Sequence, residues 1–236
     1  METASEYFDR TESAMRTLFD GIKGYTKLLH KPLVYVGSDF APDSPAFLAW
    51  QAQNREQIQA MLANHRAFFA ETFALSTLCG AVLQVAAKAI EVYSANTAIP
   101  GSVAHIVKTG NKTARPFCIG RQINGVPMGL IVFAGRNQHT HYNEAKLHPV
   151  NVAVFREISL FETTSTGHEL RDPAFDLRNP KLVSFAANVT ALLGWRSYDQ
   201  YIADMRALPL DRAPEAEEAA PVIEAPPSAT PQTDPA

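Results

Sequence analysis

Gly125-Val-Pro-Met-Gly-Leu-Ile-Val-Phe-Ala134 runs without a break into Gly135-Arg-Asn-Gln-His-Thr-His-Tyr142. By residue type alone, Met128 to Phe133 would serve as a buried strand, since a short apolar run satisfies both faces of a sheet. The polar run after it favours a helix that continues through the whole segment. On a helix Leu130, Phe133 or Ala134, Asn137, His141 and Glu144 fall along one line, so apolar packing gives way to polar groups on one face. Such a face suits the mouth of a cleft or a subunit contact. In a uniform core an unpaired Arg, Asn and His would be costly.

Helical intervals also dominate the rest of the chain. Phe8, Met15, Leu18, Phe19, Ile22, Tyr25 and Leu29 recur as one face of a helix over about 5–29. Lys31-Pro32 ends it, and Leu33 to Val36 reads as a short extended segment or loop. Asp43-Ser44-Pro45 has the form of an N-cap with proline at N1. From Ala46 to Ser94 there is no proline and one glycine, Gly80. One very long helix, or more readily two antiparallel helices meeting near Phe73 to Ser76, fills that span. Its later part, from Ala70 to Ile90, is apolar on most faces, as a central bundle helix is. The breakers between Asn96 and Val126 predict a long connection with limited regular structure. Beyond it, Val150, Val154, Ile158 and Phe161 place a helix over 150–161 that closes the bundle. Two short helices over 182–193 and 197–208 follow, separated by Gly194. Ser197 and Gln200 fit a capping box there, and Trp195, Tyr198 and Tyr201 serve as packing residues.

The expected architecture is therefore all-α: a helical bundle over residues 1–168, a short helical extension over 169–210, and a disordered tail over 211–236. The tail holds six prolines, six acids and no aromatic residue, too little apolar surface to offset the ordering of the chain. It also carries most of the acidity. The whole chain has a net charge of −3, the tail −5 and residues 1–210 a net +2. The N-terminus has no basic and apolar leader, and Leu75 to Ile90 is interrupted by Gln84 and Lys88 and is shorter than a bilayer span. Cys79 and Cys118 lack zinc-site spacing and disulfide density, so the expected setting is a reducing cytoplasm, with no membrane partner.

Chemistry concentrates between His105 and His148. Lys108, Lys112, Arg115, Arg121, Arg136 and Lys146 stand there against one acid, Glu144, together with four of the seven histidines. A polyanion would be attracted if these charges converge in space. Arg136 and His141 pair a permanent cation with a proton carrier that works near neutral pH, the two groups needed to cut a phosphodiester without a metal. Arg-x4-His is expected by chance about 0.4 times in a chain of this composition. With Asn, Asp or His required after the arginine, as Asn137 provides, the expectation falls to about 0.05. Five positions apart on one helix, Arg136 and His141 would lie about 140° apart, so one straight helix does not bring them onto one stripe.

The segment resembles the Arg-[Asn/His/Asp]-x3-His signature of the HEPN superfamily, helical proteins that include many metal-independent RNases. Arg136, Asn137 and His141 occupy its three positions, and the likeness extends more loosely through Gly125–Ala134 and His148–Phe155. The resemblance implies an RNA endonuclease in which a ribose 2′-hydroxyl attacks the adjacent phosphate, His141 moves a proton, Arg136 stabilises phosphoryl charge and Asn137 orients the imidazole or a phosphate oxygen. It implies RNA as partner, no cofactor, a homodimer completing a composite site, a possible protein regulator, and a setting in prokaryotic defence or toxin-antitoxin control. Lys112, Arg115, Arg121, His139 and Tyr142 are the expected substrate contacts. The alternative is a module of the same form that binds RNA, nucleotide or a protein without catalysis. A metal site built from His139, His141 and His148 is disfavoured, because a His-x-His pair points to one side only on a strand. No Gly-x4-Gly-Lys-Ser/Thr loop is present.

Overall fold

The computed structural model describes residues 3–27, 44–70, 72–108, 110–144, 147–163, 169–178 and 184–210. Its helices in chain order are α1 (Ala4–Thr26), α2 (Pro45–Gln53), α3 (Arg55–Ala70), α4 (Thr72–Tyr93), α5 (Met128–Thr140), α6 (Pro149–Ser159), α7 (Ala186–Leu192) and α8 (Tyr198–Arg206). The protein is mostly helical, as its periodicities predict. The tail over 211–236 and the segment Leu33 to Val36 lie outside the described residues.

The apolar run folds as a helix, and that helix is the centre of the molecule. Every residue of α5 from Met128 to Gly135 is buried. An α-helix that is apolar all round needs partners on all sides, and α4, α6 and α7 supply them. Each fully buried side chain such as Leu130 or Ile131 contributes about 1.5–3 kcal/mol relative to exposure. α4 is long and apolar enough by composition to cross a membrane. Leu83, Ala86 and Ile90 are nonetheless buried in the core, whereas Gln84, Lys88 and Glu91 face outward.

The entry to α5 is set by a hairpin that helical periodicity does not reveal. β1 (Gln122–Ile123) pairs antiparallel with β2 (Val126–Pro127) across Asn124-Gly125. Both turn residues have positive φ, 49° and 77°, the backbone of a tight hairpin turn for which Asn-Gly is favoured. The Asn124 amide donates to the Ile158 carbonyl at 2.9 Å, fastening the turn to the end of α6. The first amides of α5 are satisfied from the preceding chain, Met128 N–H by the Arg121 carbonyl and Gly129 N–H by the Ile119 carbonyl. Gly129 is required by this approach, since a Cβ there would lie 2.5 Å from the Phe117 carbonyl oxygen.

Several expected boundaries move. The Ala46–Ser94 span is divided at Asn54, which turns the chain, its amide donating to the Trp50 carbonyl. The chain is helical from Thr72 through Tyr93, so no junction falls at Phe73 to Ser76. α6 stops at Ser159 rather than Phe161. Its last carbonyls are taken by the Arg171 guanidinium and the Asp172 amide, so the chain leaves as β3 (Leu160–Thr163) paired with β4 (Glu169–Arg171). α7 starts at Ala186, four residues later than expected. The 169–210 segment packs into the bundle, and its Val189, Leu193, Trp195, Tyr201 and Met205 belong to the same buried cluster as α1, α4 and α5. The Trp195 indole donates to Asp204 and its ring meets Tyr201 edge-on at 5.1 Å, which ties α8 to the core.

Candidate functional site

A cavity of about 290 Å³ opens where α5 ends and α6 begins. Phe133, Arg136 and Asn137 reach it from α5, His141 and Glu144 from the turn that follows, and His148 and Asn151 from the start of α6. Asn111 and Thr113, from the long connection, form the remaining wall. The line expected from helical spacing is present: Phe133, Asn137, His141 and Glu144 all face one space.

Arg136 joins them although a straight helix would hold it about 140° away from His141. His141 is not helical. It caps α5 with φ −112° and ψ 27°, its amide still donating to the Asn137 carbonyl. Relative to a helical φ near −63°, that turns its Cβ by about 50° about the N–Cα bond. The chain then bends, Glu144 N–H donating to the His141 carbonyl, and the Glu144 carboxylate returns to His141 Nδ1 at 2.5 Å. The contact places the neutral ring's proton on Nδ1 and leaves Nε2 as an acceptor. The turn thus both positions the imidazole and selects the nitrogen that can take up a proton.

Arg136 Nε is buried and has no hydrogen-bond partner among the described residues. Buried polar groups are nearly always paired, so this N–H stands out, and the Arg136 side chain lines the cavity, where its positive charge favours an anion. The Asn137 amide lies 3.5 Å from the Asn151 carboxamide oxygen, at the long limit of a hydrogen bond. Asn151 is buried on α6 alongside Val150, Val154, Phe155 and Ile158. Together the groups offer a cation, a proton acceptor and neutral amides around one small volume, an arrangement able to hold a phosphoryl group and move a proton beside it.

The other expected contacts separate. Lys112 lines a second cavity that adjoins the first. Arg121 is held elsewhere by a bidentate pair with Asp204, both bonds at 2.9 Å, and by the Leu193 carbonyl. The Asp204 hydrogen bond raises its already high pKa. Arg115 opens the short 3₁₀ turn Arg115–Phe117 and lines neither cavity. Tyr142 lies outside both and packs its ring edge-on to Phe73. His139 points into the packing between helices. It shares a 2.9 Å hydrogen bond with Ser184 Oγ and lies so close to Gly80 that a Cβ there would be 2.1 Å from Nε2. Burial lowers its pKa. His139 is thereby parted from His141 and His148, and among the described residues no three His, Cys, Asp or Glu side chains group to hold a metal. Burial likewise pushes the thiols of Cys79 and Cys118 up to about 11, leaving both protonated at neutral pH.

Asn111, Thr113, Leu147 and Asn151 are the cavity residues that sequence reasoning did not single out. Asn151 carried a signal, a polar residue at a buried position of an apolar helix. Asn111 and Thr113 carried none, because the path of a long connection is not periodic. No family model matches this chain, and no curated protein or solved structure matches it.

Proposed function

We propose that this cavity is the active site of a metal-independent RNA endonuclease of HEPN type. The observation that carries the reading is the gathering of Arg136, Asn137 and His141, the three positions of the signature, around one cavity despite their angular separation on a helix. His141 Nε2 accepts the proton of a ribose 2′-hydroxyl, and O2′ bonds to phosphorus. The P–O5′ bond breaks, and the departing oxygen takes a proton from water. The products are a 2′,3′-cyclic phosphate and a 5′-hydroxyl end.

Arg136 supports this step from the cavity wall by meeting the charge that builds on the phosphoryl oxygens. Asn137, backed by Asn151, holds a phosphoryl oxygen. Glu144 is a positioning residue that fixes the imidazole. A second copy of the chain meeting the exposed turn 141–144 would complete a composite site, as the resemblance implies. DNA lacks the attacking hydroxyl and resists cleavage.

The test is incubation of purified protein with RNA in chelator, comparing wild type with His141→Ala and Arg136→Ala. Cleavage lost in both folded variants is the expected result. Protein that binds RNA through this cavity yet never cuts it would instead identify a binding module.

A further inference from the structure

Beside the proposed catalytic cavity lies a larger one of about 820 Å³. The two share Asn111, Thr113 and His148 in their walls, so they form one continuous depression divided by a polar seam. Lys108 and Lys112 stand on the far side of that seam, both exposed and with no acidic partner among the described residues. The nearby acids are engaged, Glu157 with His105 at 3.4 Å and Glu144 with His141. The seam itself offers donors. Asn111 Oδ1 accepts from Ala114 N–H, which leaves its NH₂ to donate, and His148 Nδ1 accepts from Val150 N–H at 3.3 Å, which places the neutral ring's proton on Nε2. Ile106, Val150 and Ala153 give the second cavity an aliphatic floor.

We infer that the two cavities are one track for single-stranded RNA, in which the scissile phosphate sits by Arg136 and His141 and a flanking phosphate crosses the seam to Lys108 and Lys112. The inference rests on the reading of the first cavity as an RNA site. A volume near 290 Å³ is at the small end of ligand pockets and takes one nucleotide-sized group, so a longer substrate has to leave it. The exit lined by unpaired lysines and neutral donors is the electrostatically favourable one. Grooves that follow a single strand combine such positive charge with apolar surface for the bases. A duplex, with its bases stacked inside, cannot lay one strand into a concave track of this size.

The experiment measures binding of fluorescent 2′-O-methyl RNA, which cannot be cut, as a dinucleotide, a single-stranded octamer and the same octamer in a duplex. Wild type is compared with Lys108→Ala/Lys112→Ala and with Lys23→Ala/Lys88→Ala, two exposed lysines on α1 and α4. Two lost phosphate contacts on a single strand reduce the slope of log affinity against log salt by about 1.4. At 0.1 M salt that is about a 25-fold weaker octamer complex. The dinucleotide complex and the Lys23/Lys88 control stay unchanged, and the duplex binds more weakly than the single strand. An octamer bound no tighter than the dinucleotide, or equal slopes for wild type and the Lys108/Lys112 variant, overturns the track. If RNA with free 2′-hydroxyls is still cut and His141→Ala abolishes cutting, the catalytic reading survives that result. Wild-type protein that binds none of the RNAs removes both.

Discussion

The two ends of α5 differ in what holds each residue. From Met128 to Gly135 the helix is enclosed on every side, and each side chain is fixed by many neighbours. From Arg136 to Glu144 the same segment emerges, its polar groups other than the buried Gln138 are half-buried or exposed, and a few hydrogen bonds and a non-helical turn from His141 set their directions. Stability therefore belongs to the first end and chemistry to the second. His139 and His141 show how abrupt the change is: two residues apart, one is a packing group against Gly80 and the other a cavity group beside Glu144.

That division can be broken most forcefully at the polar end. His141→Ala is expected to lower RNA cleavage by about 10²–10⁴-fold, the usual worth of a positioned acid-base group, and Arg136→Ala by about 10²–10³-fold, that of a donor to developing charge. Unfolding in urea should change by no more than about 0.5 kcal/mol for the exposed His141. Equal loss of stability and activity would erase the distinction between the two ends.

At the buried end, Ile131→Ala is expected to cost about 2–5 kcal/mol in urea unfolding, with cleavage per folded molecule retained. Gly80→Ala probes the boundary between them. Its Cβ would meet the His139 ring, which cannot retreat without losing Ser184, so a cost of about 1–3 kcal/mol is expected. The double variant Gly80→Ala/His139→Ala removes the clash and should recover most of that cost. An additive double variant would mean that His139 does not pack as described.

The smallest effect is on pH. Burial depresses the folded-state pKa of His139, so the unfolded chain binds the proton more readily. Its contribution is complete above the ordinary histidine value of about 6.5 and is lost as pH falls through the depressed one. His139→Gln should flatten that part of the stability profile as followed by thermal unfolding across pH 4 to 8. A profile identical to wild type would detach His139 from the buried end.

Helix class, the central role of the Met128–Gly135 run and the membership of Arg136, Asn137 and His141 in one motif are all legible in one dimension, because burial imposes a period on apolar residues and a spaced motif is a local property. The N-cap at Ser44, the helix that carries Arg136 and Asn137 and the packing of Trp195, Tyr198 and Tyr201 follow from such local rules, whereas the end of that helix at Thr140, one residue before His141, does not. Which basic residues face the cavity does not follow. Lys108 and Lys112 gather beside His148, whereas Arg121 is claimed by Asp204, 83 positions away, and His139 by Ser184, 45 away. Charge in a sequence is a sum, and only folding assigns each charge a partner. The same holds for Arg136 and His141: their separation along a helix is set by geometry common to all helices, but the cavity they share exists only because α6 and the long connection close its other walls. Local spacing thus determined the fold class and nominated the chemical groups, and the tertiary arrangement decided which of them share a space.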